Sequence, residues 1–375
     1  MSNTKRDSGI ELYKIIAIAL IVISHVIHTL HVGNALVPYD DYIVNLTQAT
    51  ADIQTFILIL LRHLGCFGNN MFFICSAWFF LGSSAVKKRK WFIMLIEVWV
   101  ISVVILIASL IIRHGDITKE LIIKSLLPSL FSNNWYITCY LIFYPLHPLL
   151  NMVIGKMDRK GLFRVTGVLV VINCFLIFIQ GNILYTSDVT LWITMYFVLA
   201  YLKRYKEDLL NDTKFNAVLL AVGVIGFIGL VGVTDYAGLH IGALSNKVLH
   251  WMSNGNPFII AACLGGFGLM RRLTFKNSVI NYFASLTLLV YLIHENILVR
   301  TYLRPAMWEY IYTNYGYGHI ALWALALAVV ILLLSFIAAV IYDLTVRRLV
   351  TAGGGALYTV ISRLYLKCEK RLLDK

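Results

Sequence analysis

Two residues on one helical stretch offer the sharpest chemistry in this chain. Lys14 and His25 lie eleven positions apart in an apolar run. Eleven residues turn about 1,100°, within about 20° of three full circles, so both side chains project from one face. Along the axis they stand about 16 Å apart at 1.5 Å per residue. The ammonium suits phosphate groups, and the imidazole can take a proton from a hydroxyl. A second polar set, Ser285, Tyr291, His294, Glu295 and Asn296, sits in a later apolar run. Counted from the start of each run, His25 and His294 reach the same height to within about 3 Å. A carboxylate next to them, Glu295, can orient an imidazole or keep it protonated. The plain alternatives are structural: a snorkelling lysine, a hydrogen-bonded core histidine, and a His294–Glu295 pair that only opens a loop.

Other runs carry weaker signals. Asn133, Asn134, Trp135, Tyr136 and Tyr140 head one of them, where Trp and Tyr serve either as headgroup anchors or as a pocket wall. Arg62, His63, Asn69 and Asn70 lead another towards Ser76; paired Asn side chains suit a cavity lining or bonding between helices. His25, His28 and His31 drift around a helix by about 60° per step, so they do not converge on one ion, and no metal is expected. The six cysteines lack CxxC spacing and read as small apolar side chains. There is no P-loop, nucleophile elbow or dinucleotide fingerprint. Glu97 and Asp343 lie in or beside apolar segments without an assignable partner.

The elements that must position these groups are membrane helices. Of 375 residues, 59% are hydrophobic and 14% charged, against about 25% charged in a soluble chain. Uniform runs such as 99–112, 165–179, 217–233 and 320–341 have no polar face. Crossing hydrocarbon takes about 20 apolar residues. Ten spans are predicted, roughly 12–31, 64–82, 92–112, 135–154, 162–180, 189–202, 215–233, 257–270, 279–299 and 318–342. Residues 53–61 are too few to cross and are expected as a separate interfacial or re-entrant helix. The opening run is read as a span rather than a cleaved signal.

Basic residues set the orientation. Of the 32 Lys and Arg, 25 flank the spans on one side, including the run Lys87–Lys90, and seven on the other. That asymmetry places both termini in the cytoplasm. The fold class is therefore all-α and polytopic, with residues 1–346 in the membrane and 347–375 as a basic cytoplasmic tail. The charge of +13 points to anionic lipid headgroups rather than nucleic acid. No oligomeric state is implied.

Four stretches, in chain order, resemble the acyltransferase 3 family of membrane acyltransferases. Glu11-Leu12-Tyr13-Lys14 through Ser24-His25 is similar to its opening, where a basic residue, ten intervening residues and a histidine mark the first span. Phe72-Phe73-Ile74-Cys75-Ser76-Ala77 resembles its second-span element. Asn134 through Leu141, with Pro145 and Pro148, resembles a third. Ser285 through Tyr291-Leu292-Ile293-His294 resembles the last. The resemblance implies transfer of an acyl group, usually acetyl, from acyl-coenzyme A on the cytoplasmic side to a hydroxyl of a cell-envelope sugar or polysaccharide. His25 would take the place of the family's essential histidine and Lys14 that of its basic residue.

On that basis His25 is the expected general base, with Glu295 or His294 orienting it or the substrate. Lys14, Lys87 and Lys90 are expected to hold donor phosphates. The acceptor pocket is expected from Asn70, Ser76, Asn134, Trp135, Tyr136, Tyr140, Ser285 and Tyr291. Acetyl-CoA or another acyl-CoA serves as co-substrate, no cofactor is bound, and the protein belongs in the cell membrane. The rival class is a flippase for glycolipid or polysaccharide precursors, which would also use intramembrane polar groups but for which the sequence lacks inverted repeats.

Overall fold

In hydrocarbon, backbone polar groups must be satisfied within the segment, which long apolar runs achieve as helices. The computed structural model of the chain follows this rule. It describes residues 7–27, 29–32, 35–38, 53–113, 117–131, 133–176, 187–241, 251, 253–316 and 318–373. Helix α1 (Ser8–Ile27) runs into a two-stranded antiparallel hairpin, β1 (Thr29–Val32) and β2 (Ala35–Pro38). Then come α2 (Ile53–Phe80), α3 (Lys88–Arg113), the short α4 (Lys119–Leu126) and α5 (Trp135–Lys156). Next are α6 (Arg159–Val170, prolonged by a wide turn to Leu176), α7 (Asp188–Tyr205), α8 (Glu207–Asn211) and α9 (Thr213–His240). The chain closes with α10 (Pro257–Arg271), α11 (Ser278–His294), α12 (Arg304–Tyr315), α13 (Ile320–Thr345) and α14 (Arg347–Leu373).

Among the described residues, α1, α2, α3, α5, α9 and α13 are long and apolar enough to cross a membrane. Helix α11 and the stretch Val299–Tyr315 qualify together, as one span bent by 63°. The other three expected spans, 162–180, 189–202 and 257–270, coincide with the shorter or less apolar α6, α7 and α10. One expectation fails. Residues 53–61 are not a separate helix but the first turns of α2. Arg62 and His63, which interrupt the apolar run in sequence, are accommodated within the helix. The Arg62 guanidinium donates to Ser24 Oγ at 3.4 Å, and His63 Nδ1 donates to the Ile59 carbonyl at 2.8 Å.

Helix α1 lies inside the bundle, in contact with α2, α10, α11 and α13. The α1–α2 seam is close because α2 offers glycines there. A Cβ on Gly68 would fall 2.5 Å from the Ala17 carbonyl oxygen, and one on Gly65 would fall 2.6 Å from Ser24 Oγ. Lipid gives little hydrophobic drive between helices, so small residues that let backbones approach supply the packing. Glu97 and Asp343 do have a partner. Arg347 bridges them, with Nε 3.1 Å from Glu97 and Nη1 2.8 Å from Asp343, and so ties α3 to the α13–α14 junction.

Candidate active site

Helix α1 ends at Ile27, which leaves the carbonyls of its last turn without intrahelical partners. Away from water those groups need donors from the protein itself. The bent span supplies them. After the break, Arg304 and Trp308 lie one turn apart on α12, facing the end of α1. Arg304 Nη1 donates to the His25 carbonyl at 2.6 Å, and Trp308 Nε1 donates to the Val26 carbonyl at 2.8 Å. Arg304 Nη2 donates to the His294 carbonyl at 2.9 Å, at the end of α11. One guanidinium thus closes two helix C-termini, the end at which a cation is favoured. Arg304 is 1% exposed, and both of its Nη groups are used on buried partners.

Between the two capped ends lie three side chains. His25 Nδ1 is 2.9 Å from Glu295 Oε2 and 3.1 Å from His294 Nε2, and all three residues are buried. Arg304 Nη2 also donates to Glu295 Oε2 at 2.9 Å, and Arg300 Nη1 to Glu295 Oε1 at 3.1 Å. His294 Nδ1 lies 2.7 Å from the Val290 carbonyl. A carbonyl only accepts, so that nitrogen carries the hydrogen, and a neutral His294 offers a lone pair at Nε2. His25 Nδ1 is then the donor to both neighbours, and the lone pair of a neutral His25 ring lies on Nε2. The arrangement is a histidine oriented by a carboxylate, with the carboxylate itself held by two guanidinium groups.

One ligand atom each from His25, His294 and Glu295 falls within a 4.8 Å cluster, a spacing that could also surround a cation. The donor set argues for the hydrogen-bonded form. Arg304 already occupies the Glu295 oxygen that faces His25, and its fixed positive charge opposes a dication there.

Aromatic rings continue from this cluster. Tyr291 lies 6.3 Å from His25, Tyr136 lies 6.0 Å from Tyr291, and Trp192 lies 4.7 Å from Tyr136, all between ring centroids. The buried Tyr136 hydroxyl and Asn134 Nδ2 have no hydrogen-bond partner among the described residues. Buried polar atoms of that kind call for an explanation. Trp135 packs beside Tyr136 at 5.7 Å, and Tyr140 stacks on Tyr144 a turn further along α5.

Other sequence candidates sit elsewhere. Ser285 lies nine residues before His294, about 14 Å along the helix, and its hydroxyl donates to the Tyr282 carbonyl of its own turn at 2.7 Å. Asn70 Nδ2 bonds the carbonyls of Cys66 and Asn254 at 3.0 and 2.9 Å, which ties α2 to the loop before α10. Ser76 is half-buried on α2. Lys14 Nζ pairs with Glu11 at 3.1 Å and lies 5.9 Å from the Phe79 ring. Lys87 and Lys90 are exposed at the start of α3. His28 lies outside the described residues. Sequence reasoning missed Arg300, Arg304 and Trp308. They follow the apolar run, where arginines look like loop residues, and the only available signal was the Arg304–Trp308 spacing of one turn.

A helical membrane protein with a buried His–Glu–Arg cluster at a broken span is the class these observations define. Residues 7–342 match the family model described as an acyltransferase domain, and the chain belongs to this acyltransferase 3 family. By that membership it is a membrane acyltransferase. No curated protein and no solved structure matches the chain.

Proposed function

We propose that the protein is an O-acyltransferase of the cell membrane that moves an acyl group, acetyl in the simplest case, from acyl-coenzyme A to a hydroxyl of an envelope sugar or polysaccharide. The observation that carries this reading is the buried hydrogen bond from His25 Nδ1 to Glu295, at the position to which the resemblance assigns the family's histidine. His25 Nε2 takes the proton of the acceptor hydroxyl as its oxygen attacks the thioester carbonyl. The resulting imidazolium is stabilised by Glu295, which Arg300 and Arg304 keep in place. Collapse of the tetrahedral intermediate breaks the C–S bond, and the coenzyme A thiolate takes the proton back from His25 Nε2. His294, with its lone pair towards His25 Nδ1, fixes the ring plane.

Lys14, Lys87 and Lys90 are the proposed cations for the donor phosphates on the basic side. The Lys14–His25 interval of about 16 Å is one that the donor's long flexible arm can cover. Asn134, Tyr136 and Tyr291, with Trp135 and Tyr140, are the proposed acceptor wall. The unpartnered Tyr136 hydroxyl and Asn134 amide are the kind of groups that sugar hydroxyls satisfy. The test uses purified protein in proteoliposomes with radiolabelled acetyl-CoA and a panel of glycan acceptors. Acceptor-dependent release of free coenzyme A, with label on the glycan, is the expected result. Movement of glycolipid across the bilayer without coenzyme A release would replace this reading by the flippase.

A further inference from the structure

Helix α14 shows where the protein meets its surroundings on the basic side. It is 27 residues long and follows α13 after Val346 alone. Residues Val350, Leu357, Ile361, Leu364 and Cys368 fall within an arc of about 60° at 100° per residue, one continuous stripe. The stripe begins in the bundle, where Val350 is buried, and then runs out uncovered, with Leu357, Ile361, Leu364 and Cys368 exposed. Val360 and Tyr365 widen it. Lys367 stands about 100° round from Cys368, and Arg363 and Lys370 about 140° and 160°, on the opposite face; the helix holds six basic residues against the single acid Glu369.

The packing also gives its direction. Arg347 meets Glu97, Gly354 faces Ile93 and Ile96, and the Tyr358 ring lies 5.9 Å from Phe92. Eleven residues of α14, about 16 Å, therefore pass only five residues of α3, about 8 Å. The helix crosses α3 obliquely instead of continuing as a span, and it carries too many charges to be one. A long amphipathic helix that leaves the bundle sideways at its basic end, with an apolar stripe and cations on the other face, has the form of an interfacial helix.

We propose that α14 lies in the leaflet on the basic side of the protein, its stripe among the acyl chains and Arg363, Lys367 and Lys370 on anionic headgroups. The choice of an anionic surface over a second copy of the chain rests on charge. A second copy of the same helix would leave its basic residues uncompensated, whereas an anionic lipid surface matches them. The proposal does not depend on the acyl transfer reaction.

Cys368 lies on the stripe and serves as a native reporter. Full-length protein would be placed in nanodiscs of phosphatidylcholine, with and without phosphatidylglycerol, and in detergent. A water-soluble maleimide would be added and Cys368 modification followed by peptide mass spectrometry. Labelling is expected to slow several-fold when phosphatidylglycerol is present. The triple change Arg363→Glu, Lys367→Glu, Lys370→Glu, all at exposed positions, should restore fast labelling. Equal labelling in all three environments would overturn the proposal. So would protection that ignores lipid charge, or protection that persists in detergent together with Cys368–Cys368 cross-linking, which would assign the stripe to a second copy.

Discussion

Arg304 donates a hydrogen bond to the backbone carbonyl of His25 at 2.6 Å, so the residue that caps the first helix also holds the carboxylate facing that histidine's ring. The position of the imidazole is therefore set from two sides, by its own backbone and by Glu295. Removing Arg304 should damage stability before it damages chemistry. Arg304→Met leaves Glu295 and two carbonyls short of a buried donor, a change that costs about 3–5 kcal/mol when one member of a buried pair is lost. Thermal unfolding of the detergent-solubilised variant should begin at a clearly lower temperature. Arg304→Lys keeps the charge but not the fork and should fall between the two; an unchanged melting profile in both would show that the cap is dispensable.

Glu295→Gln separates orientation from charge. The amide is close in size to the carboxylate and can still accept from His25 Nδ1, but it does not stabilise the imidazolium. Acceptor-dependent coenzyme A release should fall by about 10²-fold or more, the scale on which positioned acid–base groups act. His25→Ala should remove it altogether. Wild-type turnover in His25→Ala would refute the proposed mechanism.

Ser285→Ala should change nothing measurable. Its hydroxyl is spent on its own helix, about 14 Å from His294, and stability should stay within about 0.5 kcal/mol. Loss of transfer in this variant would place the acceptor lower in the bundle than proposed.

How much of this was legible in sequence depends on where each signal lies. The spacing of Lys14 and His25, and the equal heights of His25 and His294, follow from helical rise alone, and the structure does bring the two rings to 5.3 Å. Glu295 was visible as their neighbour. Arg304 was not, because hydrophobic periodicity stops at the span's end and says nothing of a chain that bends by 63° and bonds to the end of α1. The same limit hid the partner of Glu97 and Asp343. Arg347 comes four residues after Asp343 but 250 after Glu97, and only tertiary packing joins all three. The pairing of Lys14 with Glu11, one turn before it, was not read from the sequence, although the i,i+3 spacing allows it.

Gly68→Ala should be far more costly than its chemistry suggests. The added methyl would press on the Ala17 backbone at 2.5 Å, and overpacking of this kind costs about 1–3 kcal/mol. Gly229→Ala on α9, where a Cβ meets no atom within 4 Å, serves as the control and should leave the melting temperature unchanged or higher. Equal behaviour of the two variants would show that the seam tolerates separation.

That seam also has a mechanical consequence. Two helices packed this closely at Gly65 and Gly68 leave no room for a side chain between them, and that seam gives the imidazole on α1 its frame. Arg304 and Trp308 bond the Val299–Tyr315 half-helix to the end of α1, so it belongs to the same frame, and an acceptor has to enter between that frame and the helices outside it.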